Sequence, residues 1–464
     1  MISNLKPYPA YKDSGVRWLG KVPEHWEVMP VKRALRPQSC GNAAIKNTAV
    51  ATPLDGYAPA FSASGQDVWL PRALHRGSAL VLSAVGARCG KTFRADGEWG
   101  VVANTHILWP RAGQNRDYWW YVTNNEAWWD KAGAAQPFVR VSATLERSWV
   151  IPPLPEQTAI VRFLDYMDRR IRRFIRAKQK LIKLLEEYRQ ALIHQAVTGK
   201  IDVRTGKPYP AYKDSGVRWL GQVPAHWDVV PLKRLAWFKS GAGFPVHYQG
   251  ETSAAIPFFK VSDMNIPGNE KYLHVCANTV STAVAQDLGA TVLPAGTIVF
   301  PKVGGALLTN KRRIAANQCC IDNNMMGCVV RNGNRDFLFL IMSYIDLGQI
   351  AKPGPVPAIS EGEVREIRVA LPSAPEQTAI VEYLDAEAAK LDTAIAAARR
   401  EIELLREYRE RLIADVVTGK VDVREVAAQL PDEPPDQEAG TEEEEPVADE
   451  LATVDSQEES NGEE

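Results

Sequence analysis

The sequence predicts a mixed α/β (α+β) protein made of two related halves, each with a globular domain and one long helix. Two observations support this prediction: parts of the sequence occur twice, and each copy ends in a segment with the apolar spacing of a coiled coil. A third is the length of 464 residues, which is enough for two or three domains. We therefore expect two globular domains separated by two long antiparallel coiled-coil helices, in a pseudo-twofold arrangement created by internal duplication.

The first repeat opens each half. The segment KPYPAYKDSGVRWLG at 6–20 recurs without a change at 207–221. It continues in weaker form as VPEHWEVMPVKR at 22–33 and VPAHWDVVPLKR at 223–234. We call these stretches the entry segments.

The second repeat closes each half. It begins with PEQTAIV at 155–161 and 375–381, and it ends with EYRQALIHQAVTGKIDV at 187–203 and EYRERLIADVVTGKVDV at 407–423. The offset between copies is 201 residues for the first repeat and 220 for the second, so the middle of the second copy is 19 residues longer. The two middles, roughly 36–150 and 237–370, share little sequence.

These repeats define the expected domain organisation. It is a first globular domain with its entry segment at 1–155, a first long helix at 156–200, a second globular domain with its entry segment at 201–374, a second long helix at 375–424, and a tail at 425–464. Short apolar runs bounded by Gly and Asn predict strands in both middles, such as ALVLSAVG at 79–86 and GTIVFPKVGG at 296–305.

Apolar spacing predicts where the long helices touch. In the first helix the expected seam has one row at Leu164, Ile171, Lys178, Leu185 and Leu192, and a second row three residues later at Met167, Phe174, Leu181, Tyr188 and Gln195. In the second helix the stripe is Leu384, Ala388, Leu391, Ile395, Ala398, Ile402, Leu405 and Leu412. Two such stripes bury each other most economically as an antiparallel pair. The alternative is two unrelated helices, each packed on its own domain.

Charge is unevenly distributed along the chain. Residues 431–464 contain 15 Asp and Glu and no Lys or Arg, a composition typical of disorder. Residues 1–430 contain the other 41 Asp and Glu and all 55 Lys and Arg, so they carry a net charge of +14. A basic body favours a partner made of phosphates, although an ordinary surface of mixed charge explains the same number equally well.

The sequence contains no motif of a catalytic or metal centre. GxGxxG, HExxH, GxSxG, zinc-spaced His and Cys, and the Asn-Pro-Pro-aromatic motif of adenine methyltransferases are all missing. His25 and His226 stand in the HW dipeptides of the two entry segments, which indicates a role in the framework. Six cysteines without a C-x-x-C pair, no signal peptide and no apolar run of membrane-spanning length predict a cytoplasmic protein without a membrane partner.

Two basic turns are the candidate nucleic-acid contacts. The segment GARCGKT at 86–92 resembles a phosphate loop but has three residues between its glycines instead of four, so we interpret it as a turn presenting Arg88 and Lys91. Lys311, Arg312 and Arg313 form the corresponding turn of the second middle, and arginine is the natural bidentate reader of guanine. A solvated loop is the alternative for both turns.

Weaker candidates lie near the second turn. They are Lys302, Asn317 and Gln318, since Asn and Gln pair with adenine but are also common turn formers. The tryptophans Trp119, Trp120, Trp128 and Trp129 stand at helical spacing, which favours core packing over base stacking.

The repeats quoted above resemble the specificity subunit of type I restriction–modification systems, over nearly the whole chain up to about residue 425. The resemblance implies two target-recognition domains, each reading one half of a split site in double-stranded DNA, with the helices setting the gap. It also implies that the subunit is not an enzyme by itself. The first helix, at 1.5 Å per residue, would be roughly 63 Å long, and the 34–36 Å of one DNA turn fits within that length.

The resemblance further implies partners. Two methylation subunits that bind S-adenosylmethionine would complete an adenine methyltransferase, and restriction subunits that use ATP and Mg²⁺ would complete the endonuclease. These cofactors would belong to the partners, with none bound by this chain. Two other function classes remain possible on the residues alone: a coiled-coil adaptor between proteins, and a fused nuclease or methyltransferase.

Overall fold

The computed structural model describes residues 5–40, 48–134, 136–351 and 356–431. The chain forms two compact units: unit 1 contains residues 1–177 and 401–464, and unit 2 contains residues 178–400. Each entry segment and its middle therefore fold within one unit. The acidic segment 432–464, for which composition predicts disorder, lies outside the described residues.

Unit 1 contains two four-stranded sheets and several short helices. Its strands are β1 (Tyr11–Asp13), β2 (Lys21–Pro23), β3 (Glu27–Pro30), β4 (Leu35–Cys40), β5 (Ala58–Ser62), β6 (Gly65–Leu70), β7 (His75–Arg76), β8 (Ala79–Ser83), β9 (Thr92–Ala95), β10 (Glu98–Val101), β11 (Thr105–Pro110), β12 (Lys131–Ala132), β13 (Phe138–Val139) and β14 (Ser148–Ile151). Its helices are α1 (Arg116–Thr123), α2 (Val141–Leu145) and the first part of α3 (Leu154–Val197), with 3-10 turns at Val31–Arg33 and Glu126–Trp128.

Unit 2 has the same plan with different strand lengths. Its strands are β15 (Tyr212–Asp214), β16 (Gln222–Pro224), β17 (Asp228–Pro231), β18 (Ala236–Ser240), β19 (Ile256–Phe259), β20 (Tyr272–Leu273), β21 (Thr279–Val280), β22 (Ile298–Pro301), β23 (Arg313–Ala315), β24 (Cys320–Ile321), β25 (Met325–Val330) and β26 (Arg368–Leu371). Its helices are α4 (Thr282–Asp287), α5 (Gly304–Leu308), α6 (Arg335–Tyr344), α7 (Leu347–Ile350), α8 (Glu361–Glu366) and most of α9 (Ala374–Val417); α10 (Arg424–Gln429) belongs to unit 1. Its 3-10 turns are Leu232–Arg234, Val246–Tyr248 and Val261–Asn265.

The main sheets of the two units have equivalent topology. Unit 1 has the order β4-β11-β8-β9 and unit 2 has β18-β25-β22-β23-β20, with antiparallel pairing along the four shared positions. Each unit also contains one parallel pair in a second sheet, β5 with β10 and β19 with β24. The expected mixed α/β domains are therefore confirmed, and the divergent middles share one strand order.

The tryptophans of the first middle pack in the core, as their spacing predicts. Trp119 is fully buried and Trp129 is 4% exposed, while Trp120 and Trp128 are half-buried against the same cluster. The buried indole nitrogens find acceptors: Trp129 Nε1 donates to the Thr123 carbonyl at 2.8 Å, and Trp119 Nε1 donates to Gln114 Oε1 at 2.9 Å.

The two long helices, α3 and α9, pack against each other in both units. In unit 1 the buried Phe163 and Met167 of α3 share a core cluster with Leu412 and Val416 of α9, and Asp168 accepts a hydrogen bond from Arg409. In unit 2 the buried Leu192 and Ala196 of α3 share a cluster with Ile380 and Leu384 of α9. The start of each helix meets the end of the other, so the predicted antiparallel pair is confirmed.

The second row of the predicted α3 seam is wrong after Met167. Phe174, Leu181 and Tyr188 are 54%, 41% and 52% exposed, and the half-buried Ile175 and Ile182 take their places. The first row stays buried or half-buried from Leu164 to Leu192, so the second row of the contact face lies four residues after the first instead of three. In α9 the predicted stripe from Leu384 to Leu412 is buried or half-buried throughout.

The repeated PEQ motif ties each entry segment to the start of a long helix. In unit 1, Glu156 is 5% exposed and accepts hydrogen bonds from Tyr8 Oη at 2.5 Å and from His25 Nε2 at 2.8 Å. In unit 2, Glu376 is 3% exposed and accepts from His226 Nε2 at 2.9 Å. The framework role predicted for the two histidines is thus explained by a buried carboxylate.

The glutamine of the same motif holds the globular domain. Gln157 Oε1 accepts from the backbone N–H of Asn115, the residue that caps α1, and Gln377 Oε1 accepts from Asn334, which caps α6; both distances are 2.8 Å. Each amide nitrogen donates at 2.9 Å to a proline carbonyl, that of Pro152 or Pro372 in turn. Adjacent Glu and Gln therefore fix the entry segment and the divergent middle to one helix end.

The chain after each long helix packs against the entry segment of the same unit. We call the entry segment, the PEQ motif and this stretch of chain the frame of each unit. Gly199 has a φ of +69° and lies against Pro224, and Gly419 has a φ of +76° and lies against Pro23. A Cβ at either glycine would collide with the proline ring, so both the positive φ and the close approach require glycine. The ordered chain continues through α10, where Ala427 is 1% exposed. Residues 425–429 of this helix lie within the predicted acidic, disordered tail at 425–464, before the acidic stretch at 431–464.

A buried charge in the seam should destabilise the protein. We expect Leu164→Asp, at a position 1% exposed, to lower the free energy of unfolding by about 3–5 kcal/mol, since it removes a core side chain and buries an unpaired carboxylate. Phe174→Asp, at a position 54% exposed, is the matched control and should cost less than about 1 kcal/mol. Urea unfolding of the isolated chain measures both. Equal losses in the two variants would contradict the seam.

The stability supplied by Glu376 should depend on pH. Burial by itself raises the pKa of this carboxyl, but hydrogen bonds from His226, Ser373 and Trp227 outweigh it and lower the pKa to about 2. Ionised Glu376 therefore stabilises the fold above its ordinary pKa near 4.5, and this contribution is lost as the pH falls towards 2. We expect Glu376→Gln to cost about 3 kcal/mol at pH 7 and progressively less below pH 4.5.

The exposed Glu366, paired with Lys233, provides the control for this titration. Glu366→Gln should change the free energy of unfolding by less than about 1 kcal/mol at every pH. Urea unfolding of wild type and both variants between pH 3 and pH 7 makes the comparison. A loss in Glu376→Gln that does not vary with pH would contradict the assignment.

Candidate nucleic-acid interface

Equivalent strands of the two units lead into the predicted basic turns. The turn at 84–91 connects β8 to β9, and residues 302–312 connect β22 to β23, which occupy the same places in the main sheets. The expected correspondence of the two turns is therefore a property of the topology. We call these the first connections of unit 1 and unit 2.

The first connection of unit 1 is a β-hairpin loop. β8 and β9 pair antiparallel with Leu82 opposite Thr92, so a strand and not a helix follows the loop, and a phosphate loop requires a helix there. Arg88 is exposed and its Nη1 donates to the Ser64 carbonyl at 3.3 Å, while Lys91 is half-buried. Arg88 thus has its guanidinium at the surface of the unit.

The first connection of unit 2 places its three cations differently. Lys311 is half-buried and its Nζ donates to Asn265. Arg313 is half-buried and donates from Nη1 to the Arg312 carbonyl at 2.8 Å and from Nη2 to the Met264 carbonyl at 3.2 Å. Desolvation lowers the pKa of Lys311 and of Arg313, so burial opposes both charges.

Arg312, predicted to contact DNA, is an interior residue. It is 3% exposed, with Nη1 donating to the Lys311 carbonyl at 2.8 Å and Nη2 to Asn310 Oδ1 at 2.7 Å. Its guanidinium lies 5.1 Å from the centre of the Phe300 ring, and burial lowers its pKa to about 10. These contacts hold the connection together, while Nε has no hydrogen-bond partner among the described residues.

Asn317, by contrast, has the accessibility that a base-reading side chain requires. Residues 316–318 are exposed, and within the described part of the chain no hydrogen bond is recorded for the amides of Asn317 and Gln318. Lys302 is half-buried, and its backbone bonds to Asn324 and Ile359 at 2.8 and 2.9 Å. Of the weaker candidates, the two amides are thus presented to solvent and the lysine is held in the sheet region.

The two amides line an open cleft of about 580 Å³. The other wall consists of small and proline residues: Ala255, Pro257, Pro294 and Ala295. Leu293 and Cys319 exchange two backbone hydrogen bonds of 2.8 and 3.0 Å, which sets the two walls side by side. The cleft therefore offers two amides, each with donors and an acceptor, against a wall without charge.

Buried cysteines support the loop that carries these amides. Cys319 and Cys320 are fully buried in different core clusters because successive side chains of a strand point to opposite faces. Burial raises the pKa of Cys319 to about 12 and that of Cys320 to about 11. Both thiols therefore stay protonated, and they act as packing groups.

Unit 1 has a shorter turn where unit 2 has this exposed loop. β9 and β10 are joined by Asp96 and Gly97 alone, both exposed, and Asp96 accepts hydrogen bonds from Arg116 and from Ser78. Burial raises the pKa of Asp96, but these bonds outweigh it and lower the pKa below its usual range. We call this turn and residues 316–319 the second connections of unit 1 and unit 2; that of unit 1 presents a carboxylate, 60% exposed, which is paired with Arg116.

The described residues contain no group of three His, Cys, Asp or Glu side chains placed to hold a metal ion. Among those residues no helix is long and apolar enough to cross a membrane.

Sequence reasoning missed the wall of the cleft. Ala255, Pro257, Pro294 and Ala295 come from two segments that are far from residue 317 in the chain, and no spacing pattern joins them. Asn317 and Gln318 were predicted from their residue type and from their closeness in sequence to the second basic turn. Burial of Arg312 had no local signal, because its partners come from the backbone and from Phe300.

The chain is similar to two curated proteins over most of its length. The specificity subunit of the Escherichia coli type I restriction enzyme EcoDI is 21% identical over 418 residues, covering 87% of this chain and 90% of the relative. The specificity subunit of the Methanocaldococcus jannaschii type I restriction enzyme MjaVIII is 21% identical over 428 residues, covering 87% of this chain and 95% of the relative. No family model matches the chain.

A solved structure has the same fold. A chain described in connection with complex assembly and conformational transition of the type I R-M system superimposes with a TM-score of 0.65 at 15% identity, covering 85% of this chain and 98% of its own length. This likeness supports the fold of two mixed domains and two long paired helices. The two relatives are specificity subunits of type I restriction enzymes, so this chain is similar to that class of protein over most of its length.

Proposed function

We propose that this chain is the non-catalytic specificity subunit of a type I restriction–modification enzyme and reads a bipartite, asymmetric site in double-stranded DNA. One observation carries the proposal: the two units repeat the same frame down to single hydrogen bonds, but they differ in the loops that reach solvent. A repeated frame with unlike loops suits a protein that positions two readers of different half-sites. Each unit reads one half-site.

The cleft of unit 2 is the base reader that we favour there. Asn317 and Gln318 have free amides, and an amide pairs in a bidentate manner with the N6 and N7 atoms of adenine. Lys311 and Arg313 lie on the neighbouring connection and supply positive charge near the backbone of the bound strand. In unit 1, Arg88 is the exposed reader and its guanidinium matches the O6 and N7 acceptors of guanine.

The assembly follows from the family. Two methylation subunits would bind S-adenosylmethionine and place it over the adenines, and restriction subunits would use ATP and Mg²⁺. Leu181, Leu184 and Tyr188 on the outer face of α3 are 41%, 51% and 52% exposed, an apolar face suited to a partner helix. We place the complex in the cytoplasm, where its DNA is.

Mapping of N6-methyladenine in the host genome tests the bipartite site. We expect two unlike half-sites separated by a fixed spacer, with centres about one DNA turn apart. A host strain lacking this chain is the control, and it should lose methylation at that motif only. A single contiguous motif or a perfect palindrome would contradict the proposal.

Two substitutions in unit 2 distinguish a side chain that reads a base from one that supports the loop. We expect Asn317→Ala, in the assembled methyltransferase, to reduce discrimination at one or two positions of one half-site by about 1–3 kcal/mol without changing thermal stability. Binding to a panel of singly substituted DNA sites measures the change. Preference at the other half-site is the internal control. Unchanged preference at every position would exclude Asn317 as a reader.

Arg312→Ala should behave in the opposite way. The variant leaves the Asn310 amide and a backbone carbonyl without their buried donor, so we expect the free energy of unfolding to fall by about 2–4 kcal/mol. Urea unfolding measures the loss, and Arg331→Ala, at an exposed position after β25, is the control. Wild-type stability combined with a changed base preference would restore Arg312 as a direct reader.

A further inference from the structure

One face of α3 in unit 1 carries a row of arginines. Residues 162–176 contain six arginines, and two of them have partners within the helix: Arg172 donates to Asp168 at 2.7 Å, and Arg170 donates to the Tyr166 hydroxyl at 2.7 Å. The other four follow one another at spacings of seven, four and three residues, which places them on the same face of a helix. We call these four the arginine stripe: Arg162, Arg169, Arg173 and Arg176.

The arginine stripe is accessible and lacks counter-charges. Arg162 and Arg173 are exposed, and Arg169 and Arg176 are half-buried. For the guanidinium groups of Arg169 and Arg173 no hydrogen bond or ion pair is recorded among the described residues, and Nε of Arg169 is buried without an acceptor. Like charges three or four residues apart on a helix repel each other. The stripe therefore favours an anionic ligand, which would relieve the repulsion.

Helix packing does not explain these arginines. The second long helix repeats the first with an offset of 220 residues, and it keeps the apolar contact positions, as at Leu164 and Leu384. Residues 162–176 contain six Arg and two Asp, a net charge of +4, while residues 382–396 contain one Lys and four Asp or Glu, a net charge of −3. The four stripe positions correspond in the second helix to Glu382, Ala389, Thr393 and Ala396. A helix that packs in the same way thus has none of the four cations.

One end of the arginine stripe lies beside the start of the acidic segment. Leu430 packs against the core cluster of unit 1, and its carbonyl accepts a hydrogen bond from Nη2 of Arg162 at 2.6 Å. The acidic segment 432–464 follows directly after Pro431, with 15 Asp and Glu and no Lys or Arg. From Arg162 the stripe extends about 21 Å along the helix at 1.5 Å per residue, a distance that about seven extended residues span. The acidic segment therefore reaches the whole stripe from where it begins.

Both departures from the repeat fall on unit 1. The stripe lies on the part of α3 that belongs to unit 1, and its counterpart at 382–396 belongs to unit 2. After the repeated Asp-Val-Arg step at 202–204, the chain leads into the second entry segment, whereas after Arg424 it leads through α10 into the acidic segment. The basic face and the acidic segment thus occur together in one unit, and the equivalent places in the other unit have neither.

We propose that the acidic segment 432–464 binds in cis to the arginine stripe of α3 and screens it from other polyanions, which lowers the affinity of the chain for DNA of any sequence. Opposite charge, the contact of Arg162 with Leu430 and the joint departure from the repeat favour this occupant. The contact does not depend on the proposed function, and only its consequence for DNA does. A segment tethered beside its site has an effective concentration on the order of 1 mM, so a dissociation constant of about 0.1 mM in trans suffices to screen the stripe about tenfold.

A peptide of residues 432–464 tests the contact. We expect it to bind a chain truncated after Pro431 with a dissociation constant of about 0.1 mM at low salt, and to bind more weakly as salt rises. The full chain should bind the peptide about tenfold more weakly, because its own segment occupies the stripe. Truncation removes none of the described residues, so the melting temperature should not change. Absence of peptide binding to the truncated chain would overturn the inference.

Substitutions in the truncated chain locate the contact. Changing all four stripe arginines to Gln should weaken peptide binding by about tenfold or more, and changing them to Lys should largely retain it, since the attraction is between charges. The charge-matched control, at four exposed positions of unit 1, should retain peptide binding; it is Arg33→Gln/Arg36→Gln/Arg72→Gln/Arg76→Gln. Equal weakening by the two Gln variants would assign the attraction to net charge and would overturn the stripe as the site.

Binding to a DNA duplex of arbitrary sequence tests the screening. At low salt the truncated chain should bind about tenfold more tightly than the full chain, and the difference should vanish when both chains have Gln at the four stripe positions. Equal affinities of the full and truncated chains would overturn the screening. A difference that survives the four Gln changes would place the segment elsewhere and also overturn it. Failure of the assembled enzyme to bind any DNA would refute the proposed function, while peptide binding would still report on the cis contact.

Discussion

The buried carboxylate of the PEQ motif is the interaction on which the rest of each unit depends. A glutamate this deeply buried is tolerated only with several donors around it, and Glu376 has His226, Arg204 and Ser373 within hydrogen-bonding distance. These donors come from the entry segment, the chain after a long helix and the start of the next helix. One side chain therefore ties three segments that are remote in sequence, and removal of any donor leaves charge without compensation.

Because this frame attaches each globular domain through few contacts, the sequences of the two domains can diverge. The neighbouring glutamine accepts from the backbone N–H of a helix cap, Asn115 or Asn334, a group whose chemistry does not depend on the side chains of the domain; in unit 1 it also donates to Gln114 Oε1 at 3.3 Å. Strand order is retained, since the main sheets share four positions, while loop length and composition differ. A domain attached by its backbone can change its surface residues without loosening the joint, which is what a sequence-reading protein requires.

The sequence predicted the frame well because repeats and heptads are local patterns. Two copies of YKDSGVRWLG and PEQTAIV identified the segments that meet, and the α9 stripe was correct at every position from Leu384 to Leu412. The second row of the α3 seam lies one residue later than predicted after Met167, because Ile175 and Ile182 are as apolar as their neighbours Phe174 and Leu181 and the pattern of residue types does not choose between them. The parallel pairing of β5 with β10 and the cleft beside Asn317 depend on contacts between distant segments, for which the sequence has no local signal.

The two units expose different side chains in equivalent connections of one strand order. In the first connections, unit 1 exposes Arg88, while Arg312 of unit 2 is buried. In the second connections, which are exposed in both units, unit 1 presents the Asp96 carboxylate paired with Arg116 and unit 2 presents the amide of Asn317. A guanidinium only donates, a carboxylate only accepts and an amide does both, so equivalent surfaces of the two units differ in their hydrogen-bonding chemistry. Arginine at corresponding positions in the sequence therefore lies in different environments, because burial depends on contacts between distant segments.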